Sequence, residues 1–319
     1  MVSTSTQCVT RCLRIKLPML PLTIEASKLK SVNIRTPSVK MSNKSSPRPI
    51  LDHIVILVSY DELFELPKRL HDALTIIHGG EHADGLTVNK LVIFPDGTYL
   101  ELIAFNKGAD PARRRSHRWG SLKEGRIIDW AYTLPDEADF SQVQQRVREG
   151  GAGVTYIDPV AGGRVRPDQT VLKWAVASAQ DAAGNPVWPG DAPFWCLDRT
   201  PRHLRVPYQE GTERLEHTKH ASKAQGVSKV TVFLSEEDSS TLKPVYDAIH
   251  TVGQETGSAE DGWSFDVHSG ATQGTHRVFI SALVNNDTKS EIRLTLLGTN
   301  QSPKAIELLP GLILDFESA

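Results

Sequence analysis

The chain has 319 residues, with 36 Lys and Arg against 38 Asp and Glu, a net charge of −2, 39% hydrophobic residues and 23% charged ones. This balance gives no electrostatic reason to expect nucleic acid or an anionic membrane as partner, and no apolar run approaches the roughly 18 residues of a membrane-spanning helix. The three cysteines, Cys8, Cys12 and Cys196, form neither a disulfide framework nor a zinc-finger spacing, which fits a reducing compartment.

Residues 1–49 are rich in Lys, Arg, Ser and Thr, hold a single acid, Glu25, and show little periodicity. They read as a disordered tail, as an upstream start to a protein initiating at Met41, or as a mitochondrial presequence, whose amphipathic helix Pro18 and Pro21 would interrupt. The expected location is the cytoplasm, with the mitochondrion as the alternative if this segment targets. Arg14 and Lys16 break the apolar core that a secretory signal needs.

From residue 50 the pattern becomes regular. "ILDHIVILV" predicts a strand, and "YDELFELPKRLHDAL" a helix opened by Asp61 and Glu62, with a kink or early turn at Pro67. "TIIHGGEHADG" reads as a short strand and a Gly-rich loop; "TVNKLVIF", a "PDGT" turn and "TYLELIAF" complete a βαβββ unit. Asn106 to Gly125 is a polar, basic loop in which Arg113–Arg115 are solvated or form a gate for an anion. A second unit starts at "RIIDWAYTL", with a helix in "DFSQVQQRVREGG" and strands at "GRVRP", "VLKWAVAS" and "PFWCLDR". After a polar linker, residues 201–225, a third unit starts at "VSKVTVFL", with a helix in "STLKPVYDAIHTV" and strands at "WSFDVHS", "HRVFISALV" and "EIRLTLLG". The expected fold class is α+β, built on repeated βαβββ modules: two in residues 50–200 and a degenerate third in 226–319.

Alternation along two of these strands raises a chemical question. His53 shares a face with Val55 and Leu57, and Glu101 with Tyr99, Ile103 and Phe105. A strong polar group on an apolar strand face needs a partner, so the two either pair with each other or point at a third species.

"LDHIVILV", "HGGEHADGLTVNKLVIFPDGTYLELIAF", "GRVRPDQTVLKWAVA" and "PFWCLDR" together resemble the glyoxalase-like domain family of the vicinal oxygen chelate superfamily, over about residues 50–235. The resemblance implies curved, mostly antiparallel sheets around a cavity. It also implies a divalent metal held by a first-strand His and a fourth-strand Glu, here His53 and Glu101; imidazole and carboxylate suit Zn²⁺, Fe²⁺, Mn²⁺ or Ni²⁺. A metal-free polar pocket and a purely structural His–Glu pair are the alternatives. His82 and Asn89 also match the family pattern and become candidate substrate-binding residues with Tyr99 and Trp174. Trp195 could add to a pocket floor.

The chain departs from a four-ligand site. The second unit places Trp130 at the His53 position and Trp195 or Cys196 near that of Glu101; the third places Lys229 and Thr295 there. His82 or another group would have to complete a metal site. Gln169 stands where the family has Gly after Pro-Asp. Two functions stay open: an enzyme acting on a small oxygenated substrate as lyase, isomerase or dioxygenase, with Glu101 as base and His53 stabilising the developing charge, or a non-catalytic protein that sequesters a small molecule. A scaffold whose third unit docks a partner is a third reading, and the chain could be an oligomer. No GxSxG elbow, P-loop or GxGxxG follows a strand, and Cys196 reads as packed rather than nucleophilic.

Overall fold

In the structure, a computed structural model, the described residues are 47–166, 168–208, 215–251, 262–269, 275–283 and 289–318. The expectations for residues 1–46 lie outside them. β1 (Ile50–Leu57) is buried from Leu51 onward. The Ser59 hydroxyl caps α1 (Tyr60–Arg69) by accepting from the Glu62 N–H, Asp61 and Glu62 sit at its positive end, and Leu63 and Leu66 face the core. Pro67 falls in the last turn, and the helix closes two residues later.

β2 (Ile77–Glu81), β3 (Thr87–Ile93) and β4 (Tyr99–Phe105) complete the first module. The basic segment expected as a loop forms a short helix instead, α2 (Pro111–Ser116), because Asp110 accepts from the N–H groups of Ala112 and Arg113 and Pro111 is preset for a first turn. β5 (Arg126–Thr133), α3 (Phe140–Glu149), the short β6 (Thr155–Tyr156), β7 (Val160–Val165), β8 (Val171–Ala177), the short β9 (Ala179–Gln180) and β10 (Phe194–Asp198) form the second module. These modules share one eight-stranded sheet of order β2-β3-β4-β1-β5-β10-β8-β7, with β6 and β9 paired apart from it. Only β1–β4 and β5–β10 run parallel; every other pair in this sheet is antiparallel. The sheet curls until Arg164 on edge strand β7 reaches the Asn89 amide on β3, beside the opposite edge.

The segment read as a linker is not one throughout. It contains a single helical turn, α4 (Arg202–Arg205), whose Arg205 is buried, and His220, also buried, bonds to Ile93 O at 3.0 Å. β11 (Gly226–Leu234), α5 (Glu236–His250), β12 (Trp263–Ser264), β13 (Arg277–Ala282), β14 (Glu291–Gly298), β15 (Ala305–Leu309) and β16 (Leu312–Ser318) follow. Their six-stranded sheet has the order β12-β13-β11-β14-β16-β15. Here β14 stands antiparallel beside β11 as β5 does beside β1, so the strands after β13 begin a further half-module that the sequence pattern did not reveal. The core lies on the convex side of the first sheet: Ile54, Trp130, Tyr132 and Trp195 pack with α1, α3, α5 and the apolar face of the second sheet. No helix among the described residues is long and apolar enough to cross a membrane.

Candidate active site

A register irregularity in β1 creates the site. Leu51 lies opposite Tyr132 and His53 opposite Ala131, so Asp52 is an extra residue, a β-bulge. The bulge lets two consecutive side chains meet: Asp52 Oδ2 lies 2.6 Å from His53 Nδ1. Burial by itself would raise the Asp52 pKa, but Arg202, Arg205 and His53 hold it well below the usual carboxylate range. Arg205 grips Asp52 through two nitrogens at 3.0 and 3.1 Å, and Arg202 bonds it as well. Asp198 accepts from the same two arginines. With Asp52 ionised, His53 carries its proton on Nδ1 and turns an Nε2 lone pair the other way.

That lone pair faces Glu101. β1 and β4 run parallel with His53 opposite Tyr99 and Val55 opposite Glu101, which puts both side chains on the concave face. His53 Nε2 is 3.6 Å from Glu101 Oε2. His82, just beyond β2, meets Thr87 Oγ1 with Nδ1 at 2.7 Å and lies with Nε2 3.6 Å from Glu101 Oε1. Asn89 Nδ2 donates to the same oxygen at 2.6 Å. Both imidazoles therefore have Nδ1 held by a neighbour and Nε2 directed at one buried carboxylate.

Tyr99 stacks on the His53 ring at a centroid distance of 4.7 Å, and its hydroxyl accepts from Arg205 at 2.8 Å. Trp174 lines the cavity, whose volume is about 250 Å³. Trp195 does not: it lies on the opposite face against Phe140, Tyr132 and Tyr156, so it cannot floor the pocket. Cys196 lines the cavity but is buried, and burial pushes its thiol pKa up, away from a thiolate.

The second module's matching positions differ from those expected. β5 carries its own bulge, with Val55 opposite Asp129 but Ile56 opposite Ile127. Aligning the two bulges sets Asp129, not Trp130, in the place of His53. Phe194, opposite Ala131 as Glu101 is opposite Val55, takes the Glu101 position. Asp129 is already committed, accepting from Arg118 Nε at 2.7 Å and Trp119 Nε1 at 2.8 Å. In the second sheet the same bulge confirms Lys229 as the counterpart of His53. Thr295, however, matches Ala131, because it lies on β14; Phe279 on β13 takes the Glu101 position. Lys229 pairs with Glu317 at 3.5 Å on a partly exposed face, away from the cavity.

Cavity-lining residues that the sequence did not single out include Arg118, Trp119, His117, Arg164, Arg205, Phe194 and Asp84. His117, its pKa lowered from 6.5 by burial, accepts from Trp119 N–H at Nδ1 and as a neutral ring carries its proton on Nε2.

Two donor sets bear on a divalent metal. His53, His82 and Glu101 offer two imidazole nitrogens and a carboxylate with oriented outer partners, each Nε2 lying 3.6 Å from a different Glu101 oxygen. This donor chemistry suits a divalent ion, although the three donor atoms do not all lie within 4.8 Å of one another. These residues fit. Asp52, His53 and Cys196 are mutually close, but both Asp52 oxygens are taken by guanidiniums and the thiol is kept protonated, so that set does not fit a cation.

The family profile described as glyoxalase-like domain matches residues 51–245. No curated protein matches the sequence. Among solved structures, a hypothetical protein from Staphylococcus aureus superposes with a TM-score of 0.56 at 15% identity, covering 85% of this chain and 100% of that one. A fusion of a xylose isomerase-like TIM barrel with a 4-hydroxyphenylpyruvate dioxygenase gives 0.41 at 10% identity, covering 83% and 39%. Methylmalonyl-CoA epimerase from Mycobacterium tuberculosis gives 0.31 at 16%, covering 52% and 98%. With the profile spanning more than half its length and the eight-stranded sheet of paired βαβββ modules behind it, the chain belongs to the glyoxalase-like domain family of the vicinal oxygen chelate superfamily.

Proposed function

We propose that this protein is an enzyme of the lyase, isomerase or dioxygenase type, acting on a small oxygenated substrate at a divalent-metal centre held by His53, His82 and Glu101. The observation that carries the reading is the pair of imidazoles, each anchored at Nδ1 and each presenting Nε2 to the same carboxylate. When bound, the metal would supply Lewis acidity toward a substrate carbonyl or hydroxyl oxygen.

The chain's own groups do the rest. Asp52 and its two arginines keep the His53 proton on Nδ1, and Asn89 fixes the Glu101 carboxylate. Trp119, Trp174 and Phe194 give an apolar wall that excludes water and strengthens electrostatic interactions inside. The His117 Nε2–H is a neutral donor on the cavity wall.

Elemental analysis of protein purified without chelator or metal resin tests the proposal. About one divalent ion per chain is expected for the native protein, with loss in the folded variants His53→Ala, His82→Ala and Glu101→Gln. Lys229→Ala, remote from the cavity, should keep it. A metal-free native protein, or a content that these site substitutions leave unchanged, would sink the metal reading.

A further inference from the structure

Three arginines line the cavity, and they are not equivalent. Arg205 is neutralised by Asp52 and Asp198, and Arg118 by Asp129. Arg164 has no carboxylate at ion-pair distance among the described residues; its one hydrogen bond goes to the neutral Asn89 Oδ1, and at 3.5 Å it is long. A half-buried guanidinium without an ion-pair partner in contact is costly, and it stays charged at any ordinary pH. Burial lowers its pKa from the ordinary value, and the Glu101 carboxylate, beyond ion-pair distance, acts against that fall.

The backbone around Arg164 is cut to make room for it. A Cβ on Gly80, whose φ is +137°, would stand 2.8 Å from Arg164 Nη1. One on Gly79 would stand 1.9 Å from Asn89 Oδ1. The "HGG" pair on β2 thus lets the amide and the guanidinium sit against the opposite edge of the curled sheet. On β7, a Cβ on Gly162 would lie 2.7 Å from Trp174 Nε1, so the indole lies over Gly162, two residues along the strand from Arg164. A cationic head, an aromatic wall and the Glu101 centre are therefore gathered in one small cavity. Asn89 bridges the guanidinium and Glu101 by hydrogen bonds to both.

We infer that the substrate is a small carboxylic acid: its carboxylate pairs with Arg164, its apolar body lies against Trp174 and its second oxygen function reaches the His53–His82–Glu101 centre. This rests on the reading of the cavity as the substrate site. Carboxylate is the favoured anion because the planar guanidinium matches it through two parallel hydrogen bonds and a cavity of about 250 Å³ suits a small ligand.

Calorimetric titration with two acid and amide pairs tests the inference: mandelate against mandelamide, and lactate against lactamide. Each is measured on the native protein, Arg164→Gln and Arg164→Lys, together with metal content and thermal melting. The native protein should prefer at least one acid over its amide by roughly tenfold to a hundredfold, the range expected for a charge-assisted hydrogen bond. Arg164→Gln should erase that preference while melting cooperatively and keeping its metal; Arg164→Lys should retain part of it. Absence of any acid preference in the native protein overturns the inference. So does an acid preference that Arg164→Gln preserves. If Arg164→Gln fails to melt cooperatively, a native-strength preference in Arg164→Lys overturns it equally, because a point charge cannot replace a paired fork without loss. An Arg164-dependent preference in protein without metal would remove only the metal reading; metal lost by His53→Ala with no acid preference would remove only this one.

Discussion

At the residue scale, the chemistry depends less on His53 than on what stands behind it. Asp52 is fully buried and serves three cations or donors at once: Arg202, Arg205 and the His53 Nδ1–H. Two aspartates against two arginines make the cluster neutral, so removing one charge leaves a buried imbalance. Asp52→Asn keeps the shape but strands the guanidiniums with Asp198 alone. It should cost about 3–5 kcal/mol of stability, the range for breaking a buried pair from one side. It should also weaken metal binding by about 10- to 100-fold, because the imidazole loses the partner that orients it. Chemical denaturation and metal titration of the folded variant check the two effects separately. A variant as stable as the native protein would show that the arginines find other compensation.

Elements position these residues through departures from regularity, and one departure carries visible strain. Gln169 has φ +66° in the turn between β7 and β8, where Arg166 N–H donates to Thr170 O and Gln169 N–H to Arg166 O. A side chain in the left-handed region costs roughly 1–2 kcal/mol, against which glycine's extra unfolded-state entropy takes back about 0.5–1. Gln169→Gly should therefore raise stability by on the order of 0.5 kcal/mol, read as a small rise in melting temperature; a fall would mean that the glutamine side chain makes up for its backbone. The substitution of glutamine for the expected glycine was legible in the sequence, as were β1, α1, β3, β4 and the shared face of His53 and Glu101, because strict alternation encodes them. What alternation hides is the bulge. A period of two sends Asp52 to the far face from His53 and aligns Trp130 with His53, whereas each bulge shifts the count by one and brings in Asp52 and Asp129. Arg164 and Arg118 were hidden for a different reason: each lies in a polar stretch, and only the curl of the sheet and the folding-back of the loop after α2 carry them to the cavity. β15 and β16 carried no helical partner in sequence to mark them as part of a module.

For the whole molecule, the second sheet and α5 close the convex core and leave a titratable group at that junction. Tyr246 Oη donates to Asp191 O, His250 Nε2 lies 2.9 Å from Tyr132 Oη, and Arg146 Nε donates to Ala248 O, tying α5 to the segment before β10, to β5 and to α3. The Asp191 side chain is 2% exposed, its Oδ1 finds no protein partner, and burial pushes its pKa from 3.8 up to about 7, with Asp238 and Asp129 adding to the rise and Ser290 and Lys289 opposing it. A carboxyl whose folded pKa is raised binds protons more tightly in the folded chain. Its contribution to stability is complete below about pH 4 and is lost as pH climbs through about 7, by at most on the order of 4 kcal/mol. Asp96, buried and raised to about 6 despite bonds from Thr98 and Val227, acts in the same direction over a lower window. His220, lowered to about 4, and His250 and His268, both lowered to about 3 by burial, act in the opposite direction as their unfolded rings titrate, so the Asp191 share is read from the difference between the native chain and a variant. Relative to the native chain, Asp191→Asn should gain stability as pH rises from 5 to about 7 and hold that gain to pH 8, because the Asp96 and histidine contributions are common to both proteins. Melting temperatures of both proteins at half-unit steps from pH 5 to 8 measure it, and parallel curves would show that Asp191 ionises with its ordinary pKa at this junction.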